Sequence, residues 1–136
     1  MSMDTTRGDM VQAVLEGVSF AIRDNLEVAR QIGLRIDRSK LCGGGANSPV
    51  WRKMLCNILG ITLEIPQTEQ GPGYGAAVLA MVGCGVYDSV LTCAEKFVRV
   101  RETITPDPEL SKKYEEKYQK FKQIYPQVKS LFKEIV

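Results

Sequence analysis

The residues best suited to chemistry stand together mid-chain: Gly43-Gly44-Gly45-Ala46-Asn47, after the run Ser39-Lys40-Leu41-Cys42 and before Ser48-Pro49. Ser48 makes an N-cap and Pro49 an N1 residue, so a helix begins directly behind the glycines. A strand, a glycine turn and a helix N-terminus form a place where backbone can approach a ligand closely. Glycines lacking Cβ atoms expose their N–H groups, and the helix dipole favours an anion or the edge of a polar ring. Three glycines suit tight strand–helix packing equally well, so the loop alone leaves both readings open. It is not a P-loop, because Asn47-Ser48-Pro49 stands where the lysine would fall. Nor is it the dinucleotide fingerprint, since Ser48 occupies the place of the last glycine.

Other chemistries are poorly supplied. The chain has no histidine, which removes imidazole bases, Cys–His dyads and His-ligated metals from its repertoire. Cys42, Cys56, Cys84 and Cys93 form no CxxC pair. All four lie among apolar neighbours, which suits small buried residues of a reduced, intracellular protein. Asp9 and Glu16 are two helical turns apart, and Glu64 and Glu69 flank a loop. Capping and solvent pairing account for the first two, and no carboxylate cluster makes a metal site.

The elements that must hold the loop are marked by their ends. Thr6-Arg7-Gly8-Asp9 has the form of a capping box, and behind it Val11, Val14, Leu15, Val18, Ile22 and Leu26 recur at helical spacing. Met10, Ala13, Phe20, Val28 and Ile32 widen this stripe, so the helix is expected to be covered on more than one side, with Gly33 as its left-handed stop. After the loop, Val50, Trp51, Met54, Leu55, Ile58 and Leu59 give a second amphipathic helix ended by Gly60. Ile61 to Ile65 alternates as a strand stopped by Pro66. Gly75 to Cys84 has almost no polar residue and predicts a helix buried all round. Ser89–Phe97 is a short helix candidate, and Val98–Arg101 an extended one. The order helix, strand, helix, strand, helix predicts an α/β fold, helix-rich, with a few short parallel strands.

Asp107-Pro108 opens a lysine-rich tail in which Tyr114, Tyr118, Phe121, Tyr125, Val128, Phe132 and Ile135 follow a heptad spacing. Pro126 and the aromatics favour a terminal helix laid against its own domain over a coiled coil. At 136 residues the chain has one core's length, and its hydrophobic (44%) and charged (25%) fractions are those of an ordered globular domain. A net charge of +2 carries no bias toward nucleic acid or membrane surface. No run is long enough to span a membrane, and Met1–Arg7 lacks a leader's apolar stretch.

Gly43-Gly44-Gly45-Ala46 with Ser48-Pro49-Val50-Trp51, followed by Gly73-Tyr74-Gly75-Ala76-Ala77, resembles the C-terminal region of the FGGY carbohydrate kinases. Asp9 to Glu16 looks like the second half of that family's C-terminal signature, and Pro106-Asp107-Pro108 with Tyr114 and Tyr118 fits its usual ending. The resemblance runs from about residue 5 to 130. It implies part of a ribonuclease-H-like, actin/hexokinase-type ATPase domain, with 5–105 as a nucleotide-side α/β core and 106–136 as the terminal helix. It further implies an adenosine site at Gly43, Gly44, Gly45 and Ala46, with Asn47 as a polar contact, and ATP with Mg as the phosphate donor. The magnesium would be held through ATP, with no protein ligand here. D-xylulose is the acceptor expected, or another ketose or polyol, bound mainly by an N-terminal part absent from this sequence. The catalytic base is not in the chain, so the chain alone is expected to be inactive, cytoplasmic, and prone to homodimerise through uncovered faces. A bulky residue at Gly44 or Gly45 is expected to weaken ATP binding without unfolding. A non-catalytic nucleotide-binding regulatory module, or an interaction domain using the tail, are the competing readings.

Overall fold

The computed structural model describes residues 2–68 and 71–135. Helix α1 (Arg7–Gln31) opens on a complete capping box: the Thr6 hydroxyl accepts from the Asp9 amide, and the Asp9 carboxylate accepts from the Thr6 amide at 2.8 Å. Gly33, at φ 88°, lets the chain leave the helix in a conformation that disfavours a side chain. It runs into strand β1 (Arg38–Lys40), a single 3-10 turn (Gly44–Asn47), helix α2 (Pro49–Leu59) and strand β2 (Thr62–Pro66). Then come α3 (Gly71–Gly83), α4 (Val90–Phe97), strand β3 (Val100–Ile104), α5 (Pro108–Val128) and α6 (Phe132–Ile135).

The sheet has the order β1-β2-β3. β1 and β2 are parallel, joined by the α2 crossover, with Lys40 beside Glu64. β3 is antiparallel to β2, which corrects the expectation of parallel strands throughout. The reason is local: after α3 and α4 the chain re-enters beside the end of β2, where the Gln67 amide donates to the Arg99 carbonyl at 2.8 Å, so β3 runs back along its neighbour. The extended segment also begins two residues later than expected, and Pro66 ends β2 as its last member, at an irregularity opposite Val100.

The core has two halves. Leu55, Cys56, Leu59, Ile61 and Leu63 join α2 to the sheet. Phe20, Met54, Ile58 and Tyr118 join α1, α2 and α5. The tail therefore lies against its own domain through Tyr114, Tyr118 and Phe121, whose rings surround Phe20 at 5.3–6.4 Å. Tyr125 and Phe132, further along the heptad seam, are exposed. Pro126 sits inside α5 without ending it, at the cost of the one bond its missing amide would have made to the Lys122 carbonyl.

Three burial expectations are corrected. α3 is not buried all round: Val78 is its buried residue, and Leu79 is 60% exposed. α1 carries an open stripe of Val11, Val14, Val18 and Val28 opposite its packed face. Cys56 and Cys93 are buried, but Cys42 and Cys84 are exposed; all four thiols are free.

Candidate functional site

The glycine loop lies at the carboxyl end of β1, beyond Leu41, whose amide donates to the Glu64 carbonyl at 2.9 Å. In open α/β sheets ligands gather outside the carboxyl ends of parallel strands. Gly43 has φ 90°, a left-handed backbone that only glycine takes without strain. Its carbonyl accepts from the Ala46 amide at 2.9 Å, closing the 3-10 turn, and the Ser48 amide donates to the Gly45 carbonyl at 3.2 Å. The Ser48 hydroxyl then accepts from the Trp51 amide at 3.3 Å, capping α2.

The five predicted residues are brought together in one turn, but they face different ways. Gly43, Gly44 and Asn47 are exposed, Gly45 is half-buried, and Ala46 is buried at 1% exposure. Ala46 therefore packs inward, and only its main chain could meet a ligand. Space around the glycines separates them further. A Cβ on Gly44 would meet open space, whereas one on Gly45 would overlap ring atoms Cζ3 and Cε3 of Trp51. The absence of a side chain at Gly45 is thus required by packing, and only Gly43 and Gly44 leave bare backbone toward solvent.

Two cavities border the loop. One of about 140 Å³ lies against its inner side, lined by Ile22, Leu41, Cys42, Gly45, Trp51 and Leu55. The other, about 200 Å³, lies toward the N-terminus of α3, with Lys40, Cys42, Tyr74 and Arg99 in its wall. Tyr74 is fixed there by donating to the Phe97 carbonyl at 2.8 Å. Both volumes fall below the ~300–1,000 Å³ of pockets that enclose a whole ligand. A ligand the size of a nucleotide would be held on one side only. Sequence reasoning passed over Trp51, Cys42 and Tyr74 as wall residues; only the apolar periodicity around Trp51 pointed inward.

The acidic residues form no site. Asp9 is spent on the α1 cap, and the Thr6 backbone amide, then its hydroxyl, hold its carboxyl below the usual range. Glu16 accepts from Lys117 at 2.9 Å and from Gln12 at 2.8 Å. Glu64 is bracketed by Arg38 at 2.9 Å and Lys40 at 3.5 Å. Glu69 lies outside the described residues. Among the described residues no group of three or more His, Cys, Asp or Glu could hold a metal ion. Burial pushes the Cys56 thiol above its usual value, and its Sγ donates to the Ile61 and Ile104 carbonyls, so it is a structural thiol. No helix among the described residues is long and apolar enough to cross a membrane.

Known proteins share this architecture. The FGGY family of carbohydrate kinases, C-terminal domain, matches residues 1–84, well over half of the chain. A xylulose kinase of Staphylococcus epidermidis is 32% identical over 126 residues, covering 93% of this chain and 25% of its own. An L-xylulose/3-keto-L-gulonate kinase of Escherichia coli is 33% identical over 119 residues, covering 88% of this chain and 24% of its own. The crystal structure of xylulose kinase from Rhodospirillum rubrum superimposes with a TM-score of 0.84 at 30% identity, over 97% of this chain and 27% of that one. The chain thus spans about a quarter of the length of the relatives it matches.

Proposed function

The chain belongs to the FGGY family of carbohydrate kinases, whose fold is of the actin/hexokinase ATPase type, and on that premise we propose that it forms the adenosine-side wall of a sugar kinase's active site. The observation that carries this reading is the bare backbone of Gly43, which is left-handed, and of Gly44, at the carboxyl end of a parallel strand pair. A flat base or ribose can lie against such backbone with nothing in the way, and Asn47 stands beside it as a polar contact. Gly45 and Ala46 shape the turn from within.

On this reading, ATP with Mg is the donor, and the metal is carried by the nucleotide's phosphates. Phosphoryl transfer needs donor and acceptor aligned, and charge stabilised from both sides of a closed cleft. The exposed backbone of the loop provides one side. The base that takes the sugar's proton and most sugar contacts lie in the three-quarters of the kinase that this chain does not span. The 136 residues alone are therefore catalytically silent, with 5–105 forming the nucleotide-side core and 106–136 the terminal helix, and the whole enzyme works in the cytoplasm. D-xylulose is the acceptor we favour. The name of the Escherichia coli relative keeps a different ketose or keto-acid open as the acceptor. The uncovered stripe of α1 makes self-association into a homodimer the expected behaviour of the isolated chain; a monomer by light scattering at high concentration would count against it.

The test of the site uses Gly44→Val, because Gly45→Val would displace Trp51 and confuse binding with folding. Equilibrium dialysis with ATP should show at least tenfold weaker binding, with an unchanged melting temperature. Equal affinity in variant and wild type would sink the assignment. Turnover of ATP and D-xylulose by residues 1–136, clearly above a blank, would refute the statement that the chain is silent.

A further inference from the structure

We propose that Trp51 is the positioning residue of the glycine loop, and that Ser19 on α1 sets its orientation. The benzo edge of the indole fills the space where Gly45 would carry a Cβ, so the ring is the floor on which the 3-10 turn rests. Its other edge is tied down: Nε1–H donates to the Ser19 hydroxyl at 3.0 Å, and that hydroxyl donates to the Leu15 carbonyl at 2.8 Å. Ser19 is fully buried, so this relay runs in a setting where an unmade hydrogen bond is costly.

What makes the bond decisive is the cavity beside it. The space of about 140 Å³ lined by Ile22, Leu41, Gly45, Trp51 and Leu55 leaves the indole unsupported on that side. Packing alone does not hold the ring, because there is room for it to swing inward. A turn that has lost its floor would sink into the same space and carry Gly43 and Gly44 with it. The chain of contacts Leu15–Ser19–Trp51–Gly45 therefore joins α1 to the exposed backbone of the loop, through two residues that would not themselves touch a ligand.

The inference rests on the reading of this loop as an adenosine contact for its functional meaning, but its geometry can be tested without any nucleotide. Trp51 is the single tryptophan of the sequence, so its emission reports this one site. Hydrogen exchange of the Ala46 and Ser48 amides, which close the turn, should quicken about five- to tenfold in Ser19→Ala and in Trp51→Phe, while the amide of Tyr118 in α5 keeps its protection. In wild type, MgATP should change the indole emission saturably, with about fivefold weaker apparent affinity in Ser19→Ala.

Loop exchange unchanged in both variants would overturn the proposal. So would exchange that rises uniformly along the chain, because Ser19 and Trp51 would then be ordinary core residues. Faster exchange confined to the loop, with no MgATP response and no dialysed ATP bound by wild type, would uphold the positioning role and retire the nucleotide reading instead.

Discussion

Helices α1, α2 and α5 bury one another, whereas α3 and α4, with a larger share of apolar residues, lie largely open. On the first side Phe20, Ile58 and Tyr118 are each at most 5% exposed. Polar bonds lock that packing. The Tyr118 hydroxyl donates to Asp24 at 2.6 Å, and Arg23 lies 4.2 Å from the Tyr118 ring centroid while donating to the Ile58 carbonyl and to Glu115. On the second side Val78 and Cys93 alone are buried in α3 and α4, and Leu79 and Leu91 are 60% and 69% exposed. The contrast teaches that apolar content shows that a face can be buried, but not which partner buries it. Amphipathic α1 and α5 carry complementary charges that choose each other, such as Glu16 with Lys117. α3 carries no such pairing groups.

Matched truncations test the contrast most severely. Tyr118→Ala should cost about 3–5 kcal/mol, because a fully buried ring is lost together with its hydrogen bond. The check is the urea midpoint, and a change below about 1 kcal/mol would show that α5 is not docked. Asp107→Ala should cost about 1 kcal/mol, since Asp107 caps α5 by accepting from the Glu109 and Leu110 amides at 2.9 and 3.1 Å. Leu79→Ala, on the open side, should stay within about 0.5 kcal/mol of wild type in the same titration. A cost like that of Tyr118→Ala would erase the difference between the two sides.

The smallest effect is one of pH. The Asp9 carboxyl is held below its ordinary value of 3.8, first by the Thr6 backbone amide. A carboxyl lowered on folding contributes stability above its unfolded value and loses it as pH falls through the folded one. The first turn of α1 should therefore fray as acid is added below about pH 4, seen as rising exchange of the amides near Thr6. Asp9→Asn should flatten that response.

The parts legible in the sequence were those marked by local stereochemistry. Thr6 with Asp9, Ser48 with Pro49, Gly60, Gly33 and Asp107 with Pro108 each mark an element end through a bond or dihedral reaching only three or four residues. The sense of β3 was not legible, because strand direction depends on which connection crosses the sheet, a property of the whole path. Burial of α3 was misread because a uniformly apolar stretch has no face to announce its orientation. At the site, the five-residue loop could be seen as a string, but not its two sides. Whether a glycine is bare toward solvent or filled by Trp51 depends on how the turn and α2 bring together residues six apart, and the sole tryptophan so close behind Gly45 was the available sign.

The outer margin of β1 has a colloidal consequence. This strand has one partner, β2, and its far row of amides and carbonyls pairs with no strand among the described residues. Such a row is a template on which identical strands can stack into fibres. Three residues give little length to template, and Arg38 and Lys40, sharing the single carboxylate of Glu64, leave a net positive charge on each copy, so stacked copies repel. That repulsion is screened over about 10 Å at 0.1 M salt. Ionic strength, more than temperature, should then set how far the protein can be concentrated before it turns turbid, and dilute buffers should keep it dispersed longest.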